Sequence, residues 1–454
     1  VNVNVVVVIL LVPALVTALW VVASSQRAIL AAVAISILLP FAVVPVRLIA
    51  TPSILEILLA TSLFGWLLAM IRSGAAPLPP LRIPLILLVG TLTAAFVAGW
   101  DNGYSTDIVH NYFKLLLAIF ASMAVAGAAK ANRFPVRFLR VVSIAGLAAA
   151  VIGLALYLME PDLAANILKS LAAVGYPTER VLRYVEDNPS LGLRATGTSV
   201  DPNSFGGMLA LLVPLVASQL LARKPWVPRY LALACLLTMV ACLLLSRSRA
   251  AWLGATAGLV LIATIEYRRL WLPIVATGLA VSVLGVGNEF VQRLYHGLAL
   301  QDPATLMRLR EYSDAIAIIS RYPVLGIGFG PAPDPDLRPG VSSIYLTVAE
   351  QAGLLGLTAY VLLVGAALWT LIKAWTLTKH SELGSIALGL LAGTVSALTI
   401  GMLDHYFMNP QFSHMAFMLW SFPAVASALP SWLQVHNREV IHPIGGAVIT
   451  DPSP

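Results

Sequence analysis

The chain runs to 454 residues, of which 59% are hydrophobic and only 11% charged, with a formal net charge of +7. Soluble domains carry about 25% charged residues, so a chain this poor in charge cannot cover a water-facing surface and must take lipid as its main solvent. The positive balance does not call for nucleic acid: spread over membrane loops it suits anionic lipid heads or a phosphate-bearing substrate.

A membrane span needs about 20 apolar residues. Thirteen stretches approach this, at about 5–23, 28–46, 53–71, 83–99, 112–129, 138–158, 203–222, 230–246, 250–265, 270–286, 343–372, 384–403 and 412–430. One of them reads as re-entrant or interfacial, which leaves about 12 spans. The first run lacks a basic leader and reads as a span rather than a cleavable signal. Pro40 and Pro45 interrupt the second. Cys235 and Cys242 lie seven apart on one helical face, a poor geometry for a disulfide. There is no sign of a soluble domain or an internal repeat. The expected fold class is all-α: a polytopic transmembrane helical bundle with two long external loops containing short helices. It divides into N-terminal helices over 1–158, an external loop over 159–202, central helices over 203–286, a large external loop over 287–342, C-terminal helices over 343–430 and a cytoplasmic tail over 431–454.

Four expected spans separate the two long loops, so both loops face one side. The short connections bearing Lys130, Arg133, Arg137 and Arg140, then Arg223, Lys224 and Arg229, then Arg268 and Arg269, then Lys373 and Lys379, fall on the other side. Dense Lys and Arg in short loops marks the cytoplasm, which places both long loops outside. Three further polar pieces then share the outer face: Ser246-Arg247-Ser248-Arg249, Asp404-His405, and the turn Asp101-Asn102-Gly103 with Asp107 and His110. A lone charge near a helix end is usually a snorkelling anchor. Convergence from several segments points instead to a shared site.

Four motifs carry the chemistry. Arg194 to Asn203 leads into a span, where Asp201 or Asn203 serves either as a plain helix cap or as part of a site. Arg194 has no capping role and stands beside an exposed helix N-terminus, a natural anion site. Arg249 opens a span at the membrane boundary. It either snorkels to headgroups or presents its planar fork to phosphate. The stretch Arg308-Leu-Arg310-Glu-Tyr reads as an amphipathic helix in the large loop, followed by the turn Tyr322-Pro-Val-Leu-Gly326-Ile-Gly328-Phe-Gly330. That turn lacks the strand-then-helix setting of a nucleotide loop. Asp334-Pro-Asp336 is either an acidic metal-binding pair or a solvated loop. Glu350 sits about two turns into a span, as a packing residue or a functional one. No zinc-type cluster, nucleophile elbow or basic-aromatic stripe is present, so metal chemistry, acyl-serine chemistry and nucleic-acid binding are not expected.

Taken together, these motifs resemble the O-antigen ligase and O-antigen polymerase-like membrane glycosyltransferases over about residues 190–425. The family's Arg, Gly-Thr and Pro-Asn stretch corresponds to Arg194 to Asn203, and its Ser-Arg-small-small stretch to Ser248 to Ala251. Its Arg-bearing amphipathic segment and Pro-Leu-Gly-x-Gly turn correspond to Arg308 to Gly328. Its His-Asn-x-Tyr-Leu-x4-Glu-x-Gly-x-x-Gly stretch corresponds to Ser342 to Gly356, and Asp404 to Tyr406 matches an Asp-His-Tyr found in some members. The resemblance implies cofactor-free, metal-independent glycosyl transfer at the outer face of the bacterial inner membrane, facing the periplasm or exterior. The donor is an undecaprenyl-diphosphate-linked glycan, and the acceptor is lipid-linked or is lipid A core. Membrane lipids and other polysaccharide-assembly proteins are the remaining expected partners. Arg194, Arg249 and Arg308 or Arg310 would bind the diphosphate.

The family's histidine base is replaced here by Ser342, whose hydroxyl cannot take a proton near neutral pH. His405, Asp404 and Glu350 are the substitutes expected on the same face. Loss of the histidine favours a polymerase of surface or exopolysaccharide over an O-antigen ligase. A transporter or flippase of a lipid-linked or anionic solute is the alternative from another class. It would show paired broken helices or charges at mid-membrane, whereas most charges here sit at one face.

Overall fold

In the computed structural model the described residues are 23–44, 51–73, 81–131, 133–272, 275, 303–334 and 336–434. The expected spans at 5–23 and 270–286, most of the loop from 287 to 302, and the tail beyond 434 lie outside them. Thirteen α-helices are described, and the protein is a polytopic helical membrane protein.

The N-terminal half comprises α1 (Ser25–Leu38), α2 (Ile54–Ser73), α3 (Arg82–Ala98), α4 (Thr106–Ala129) and α5 (Phe134–Leu158), followed by the short α6 (Pro161–Ser170). Next come α7 (Pro202–Leu221), α8 (Arg229–Leu245), α9 (Arg249–Ile265) and the loop helix α10 (Pro303–Arg321). The chain closes with α11 (Ile344–Thr378), α12 (Gly384–Gly401) and α13 (Ser413–Ala426). Seven segments are long and apolar enough to cross a membrane, and α1, α3, α8 and α9 are shorter apolar helices. These are eleven apolar segments among the described residues, with the expected spans at 5–23 and 270–286 lying largely outside them, so the expectation of about 12 spans is met in part. The 159–202 loop is also not purely helical, because Arg183–Tyr184 (β1) and Leu193–Arg194 (β2) pair as a minimal antiparallel ribbon.

Burial follows position in the bundle. The span of α7 is 89% buried and that of α2 only 22%, so α7 is central and α2 faces lipid. Small residues let the centre close. Gly254 and Gly258 on α9 sit against Ser396 and Ala392 of α12, and Gly389 and Gly393 on α12 against Leu215 and Leu211 of α7. Added methyl groups there would collide with backbone, which is the small-xxx-small logic of membrane helix packing. Cys235 and Cys242 are free and buried, and their thiols donate to Ser143 O at 3.5 Å and Ala150 O at 2.9 Å.

Hydrogen bonds sort the connections onto two faces. On one, here the loop face, Arg194 meets Ser246, Thr198 meets Leu38, Val43 meets Val174, and Tyr312 meets Ser342 and Met402. On the opposite face Gln219 meets Ser385, and Trp226 meets both Arg140 and Glu382.

One feature breaks helical regularity. Gly353, nine residues into α11, has φ +65° and ψ −168°, a conformation essentially restricted to glycine. The break removes the helical bonds from Glu350 and Gln351 to Leu354 and Leu355. The Pro/Gly turn after α10 replaces them one for one. Ile327 and Gly328 donate to Glu350 O and Gln351 O at 2.9 and 3.0 Å, and Leu354 and Leu355 donate to Pro323 O and Val324 O at 2.7 and 3.5 Å. A β-carbon on Gly353 would strike the Val324 carbonyl and approach Leu325 N to 2.6 Å. Gly353→Ala should therefore cost roughly 2 kcal/mol or more, from strain plus lost backbone pairing. Gly365→Ala, into open space in the same helix, should be neutral or stabilising. Thermal unfolding of the purified variants checks this; equal midpoints would show the break to be incidental.

Candidate functional site at the loop face

Asp201 caps α7, its Oδ1 accepting from Asn203 N at 2.8 Å and Ser204 N at 2.9 Å, with Pro202 in the first turn. Its other oxygen lies 3.6 Å from the Arg183 guanidinium. The cap and site readings of Asp201 thus both apply. Arg194, paired across the ribbon with Arg183, donates from Nε to Ser246 O at 2.8 Å and from Nη2 to Asn203 Oδ1 at 2.5 Å. Its guanidinium therefore joins the start of α7 to the turn between α8 and α9. Arg247, with φ +53°, turns back to donate to Leu191 O at 2.8 Å and anchors the ribbon loop. Ser248 caps α9, which leaves half-buried Arg249 as the first residue of that helix at the same face.

Asp404 and His405 follow α12. Asp404 is 4% exposed and accepts the His405 backbone N–H at 2.8 Å. Burial raises its carboxyl from the ordinary 3.8 to about 7, against the pull of Arg308; Arg194 also lowers it, and Asp201 raises it. Arg308 and Arg194 thus both act electrostatically on this one carboxyl. Burial also holds the His405 imidazole below its ordinary value, Arg308 acting in the same sense and Glu311 and Asp201 against it. Their side chains approach only to 3.8 Å, and with both charged forms disfavoured this is not an ion pair. The His405 Nδ1 is buried without a hydrogen-bond partner among the described residues, and the ring stacks on Tyr406 at 5.0 Å. Burial strongly disfavours ionisation of the Tyr406 hydroxyl, on which Asp201 and Asn203 also act.

From α10, Arg308 is half-buried and its charge is felt at Asp404, whereas Arg310 is exposed. Two residues turn a helix through about 200°, so only one of the pair can face inward. Glu311 accepts the Ser342 N–H at 3.0 Å, and the Tyr312 hydroxyl bridges Ser342 O at 3.4 Å and Met402 O at 3.3 Å. Ser342 is therefore held by its backbone. Glu350 is 1% exposed; its Oε2 accepts from Gly340 N at 3.3 Å, and its Oε1 has no partner among the described residues.

Several expected members go elsewhere. Asp334 and Asp336 are forked by Arg321 at 3.0, 3.1 and 2.8 Å, and Tyr322 donates to Asp334 at 3.2 Å. The pair is bound to an arginine rather than open to a metal. Among the described residues no group of three His, Cys, Asp or Glu side chains is placed to share a metal ion. His110 pairs with Glu56 at 2.6 Å, while Asn102 and Tyr104 dock the Gly turn through Ile327 O at 2.9 Å and Phe329 N at 3.0 Å. Sequence reasoning missed Arg183, Glu311, Tyr312 and Tyr406 as site residues. Glu311 and Tyr312 directly follow Arg310 in a stretch already singled out. Arg183 was legible only through the ribbon register.

Fold and site define a polytopic helical membrane protein with several arginines and a buried carboxyl and imidazole at one face. Residues 234–361 match the O-antigen ligase family model, Wzy_C, so the chain carries a domain of that family, whose members are membrane enzymes handling lipid-linked glycans. The match spans Arg249, Arg308, Arg310, Ser342, Glu350 and the helix break; Arg194, Asp404 and His405 lie outside it. No curated protein matches the chain significantly.

Asp404 supplies a stability test. Its folded value lies above its unfolded one, so its contribution is fully present below about pH 3.8 and is lost as pH rises through about 7. The difference in thermal midpoint between wild type and Asp404→Asn should change across that window and level off above it. Parallel profiles from pH 4 to 8 would show that the carboxyl titrates normally.

Proposed function

We propose that this protein polymerises undecaprenyl-diphosphate-linked oligosaccharide repeat units at the outer face of the bacterial inner membrane, for surface or exopolysaccharide synthesis. The observation that carries this reading is the bond from Arg194 to the turn that leads into Arg249, with Arg194 and Arg308 both acting on buried Asp404, in and beside an O-antigen ligase domain. The arginines hold the donor diphosphate at headgroup depth, where bidentate guanidinium contacts suit phosphate oxygens better than ammonium does. An acceptor hydroxyl attacks the anomeric carbon, the carbon–oxygen bond to phosphate breaks, and the leaving diphosphate takes up the electron pair. Asp404 or His405 receives the hydroxyl proton. A carboxyl near 7 and a neutral imidazole with an unpartnered nitrogen can both do so. The guanidinium groups stabilise the developing charge, the role a metal plays in other phosphate chemistries. En bloc transfer to lipid A core is the second reading. Ser342, held by its backbone and without a basic side chain, favours the first.

Removing one contact to a developing charge costs roughly 3 kcal/mol, about a hundredfold in rate. Arg249→Ala should therefore abolish visible polymer at equal protein level, and Arg249→Lys should restore only part. Ser342→Ala should be mild, and loss at His405→Ala or Asp404→Asn should identify the proton acceptor. Normal polymer length and yield in Arg249→Ala would contradict the diphosphate assignment and favour a scaffold role. Activity should persist in excess chelator; loss reversed by magnesium or manganese would contradict the arginine account. In spheroplasts, cysteines introduced at 159–202 should react with an impermeant thiol reagent and those at 130–140 should not. The reverse would invert the sidedness.

A further inference from the structure

The face opposite the candidate site holds a cavity of about 900 Å³ that plays no part in the reaction above. It lies between the C-terminal ends of α7, α9 and α11 and the first turn of α12. Its rim carries five cations, Arg223, Lys224, Arg268, Arg269 and Lys379, against two carboxylates, Glu266 and Glu382. Lys224 and Glu382 pair at 3.0 Å, and the remaining lining carries four cations and one carboxylate, Glu266. Beneath the rim the wall is apolar: Leu221, Ile265, Leu388 and Trp375 belong to one packed cluster.

Helix C-termini attract cations through their exposed carbonyls, and short cytoplasmic loops collect Lys and Arg to fix topology. Either effect accounts for basic residues, but neither builds a concavity with a net positive rim over an apolar floor. That combination matches a molecule with a phosphate at one end and hydrocarbon at the other. The volume lies within the range of small-molecule sites. A soluble phosphate compound would gain nothing from the floor, and a neutral lipid nothing from the rim.

We propose that this cavity is a binding site for an anionic phospholipid of the adjacent leaflet. The phosphate sits among Arg223, Arg268, Arg269 and Lys379, and the first acyl carbons lie against Trp375 and Leu388. Basic pockets between helices at the cytoplasmic side are suited to such headgroups. The leaflet assignment rests on the proposed sidedness; the chemistry of the site does not.

The test is native mass spectrometry of the purified protein, delipidated and then offered phosphatidylglycerol, cardiolipin or phosphatidylethanolamine, with inorganic pyrophosphate as a separate arm. The anionic lipids should be retained one per chain and phosphatidylethanolamine should not. Arg268→Gln with Arg269→Gln, and independently Arg223→Gln, should weaken retention about tenfold. Arg133→Gln with Arg137→Gln removes two charges outside the cavity lining and should leave retention unchanged. Equal retention of phosphatidylethanolamine, an equal loss in the control pair, or pyrophosphate displacing lipid at equimolar concentration would each overturn the proposal. Because no arm reads polymer synthesis, failure here leaves the proposed reaction untouched, and the reverse holds too.

Discussion

The backbone exchange at Gly353 is the constraint on which the loop face depends. An interrupted helix within a bundle leaves N–H and C=O groups that lipid cannot satisfy, at several kcal/mol each. Here the turn from Pro323 to Gly328 supplies the replacements. The exchange locks the end of α10 to α11 and so fixes where Arg308, Glu311 and Tyr312 stand relative to Ser342 and Asp404. The same turn is gripped from the N-terminal half by Asn102 and Tyr104. The described part of the large loop is thereby tied through this turn to α11 and to the connection between α3 and α4, and through Ser342 and Tyr312 to the end of α12.

This arrangement explains why two glycines 27 residues apart, Gly326 and Gly353, act as one. Gly326 needs a positive φ to bring its carbon against the Glu350 carbonyl, and Gly353 needs one to leave the helix. Each alone reads as a loose turn or a small packing residue. Together they build the notch above which Glu350 keeps an unpartnered oxygen. Catalytic geometry in membrane enzymes requires that kind of rigidity, because a displacement of about 1 Å can cost a hundredfold in rate.

Much of the bundle was legible in the sequence because apolar length is a strong signal in lipid. The helix from Phe134 to Leu158 and that from Pro202 to Leu221 fall within a few residues of where hydropathy puts them. The expectation that Arg194, Asp404 and Arg308 share a face came from counting spans, one of which, at 270–286, lies largely outside the described residues. What sequence could not give was pairing. The Arg183–Arg194 register joins residues across a short ribbon, and Asp201 acts on Tyr406 across half the chain. Periodicity carries no information on such distant contacts. Arg308 and Arg310 were equivalent as letters, and only the orientation of α10 separates them. His110 was grouped with the site by side of membrane alone, and its actual partner is Glu56.

The most direct test of the account is reconstitution. The purified protein, as sole protein in liposomes, is given a lipid-linked oligosaccharide repeat unit, and the products are resolved by size. The account predicts a ladder of lipid-linked oligomers with release of one lipid diphosphate per bond formed. Unchanged substrate, under conditions where the protein is folded and the lipid accessible at the loop face, would contradict it.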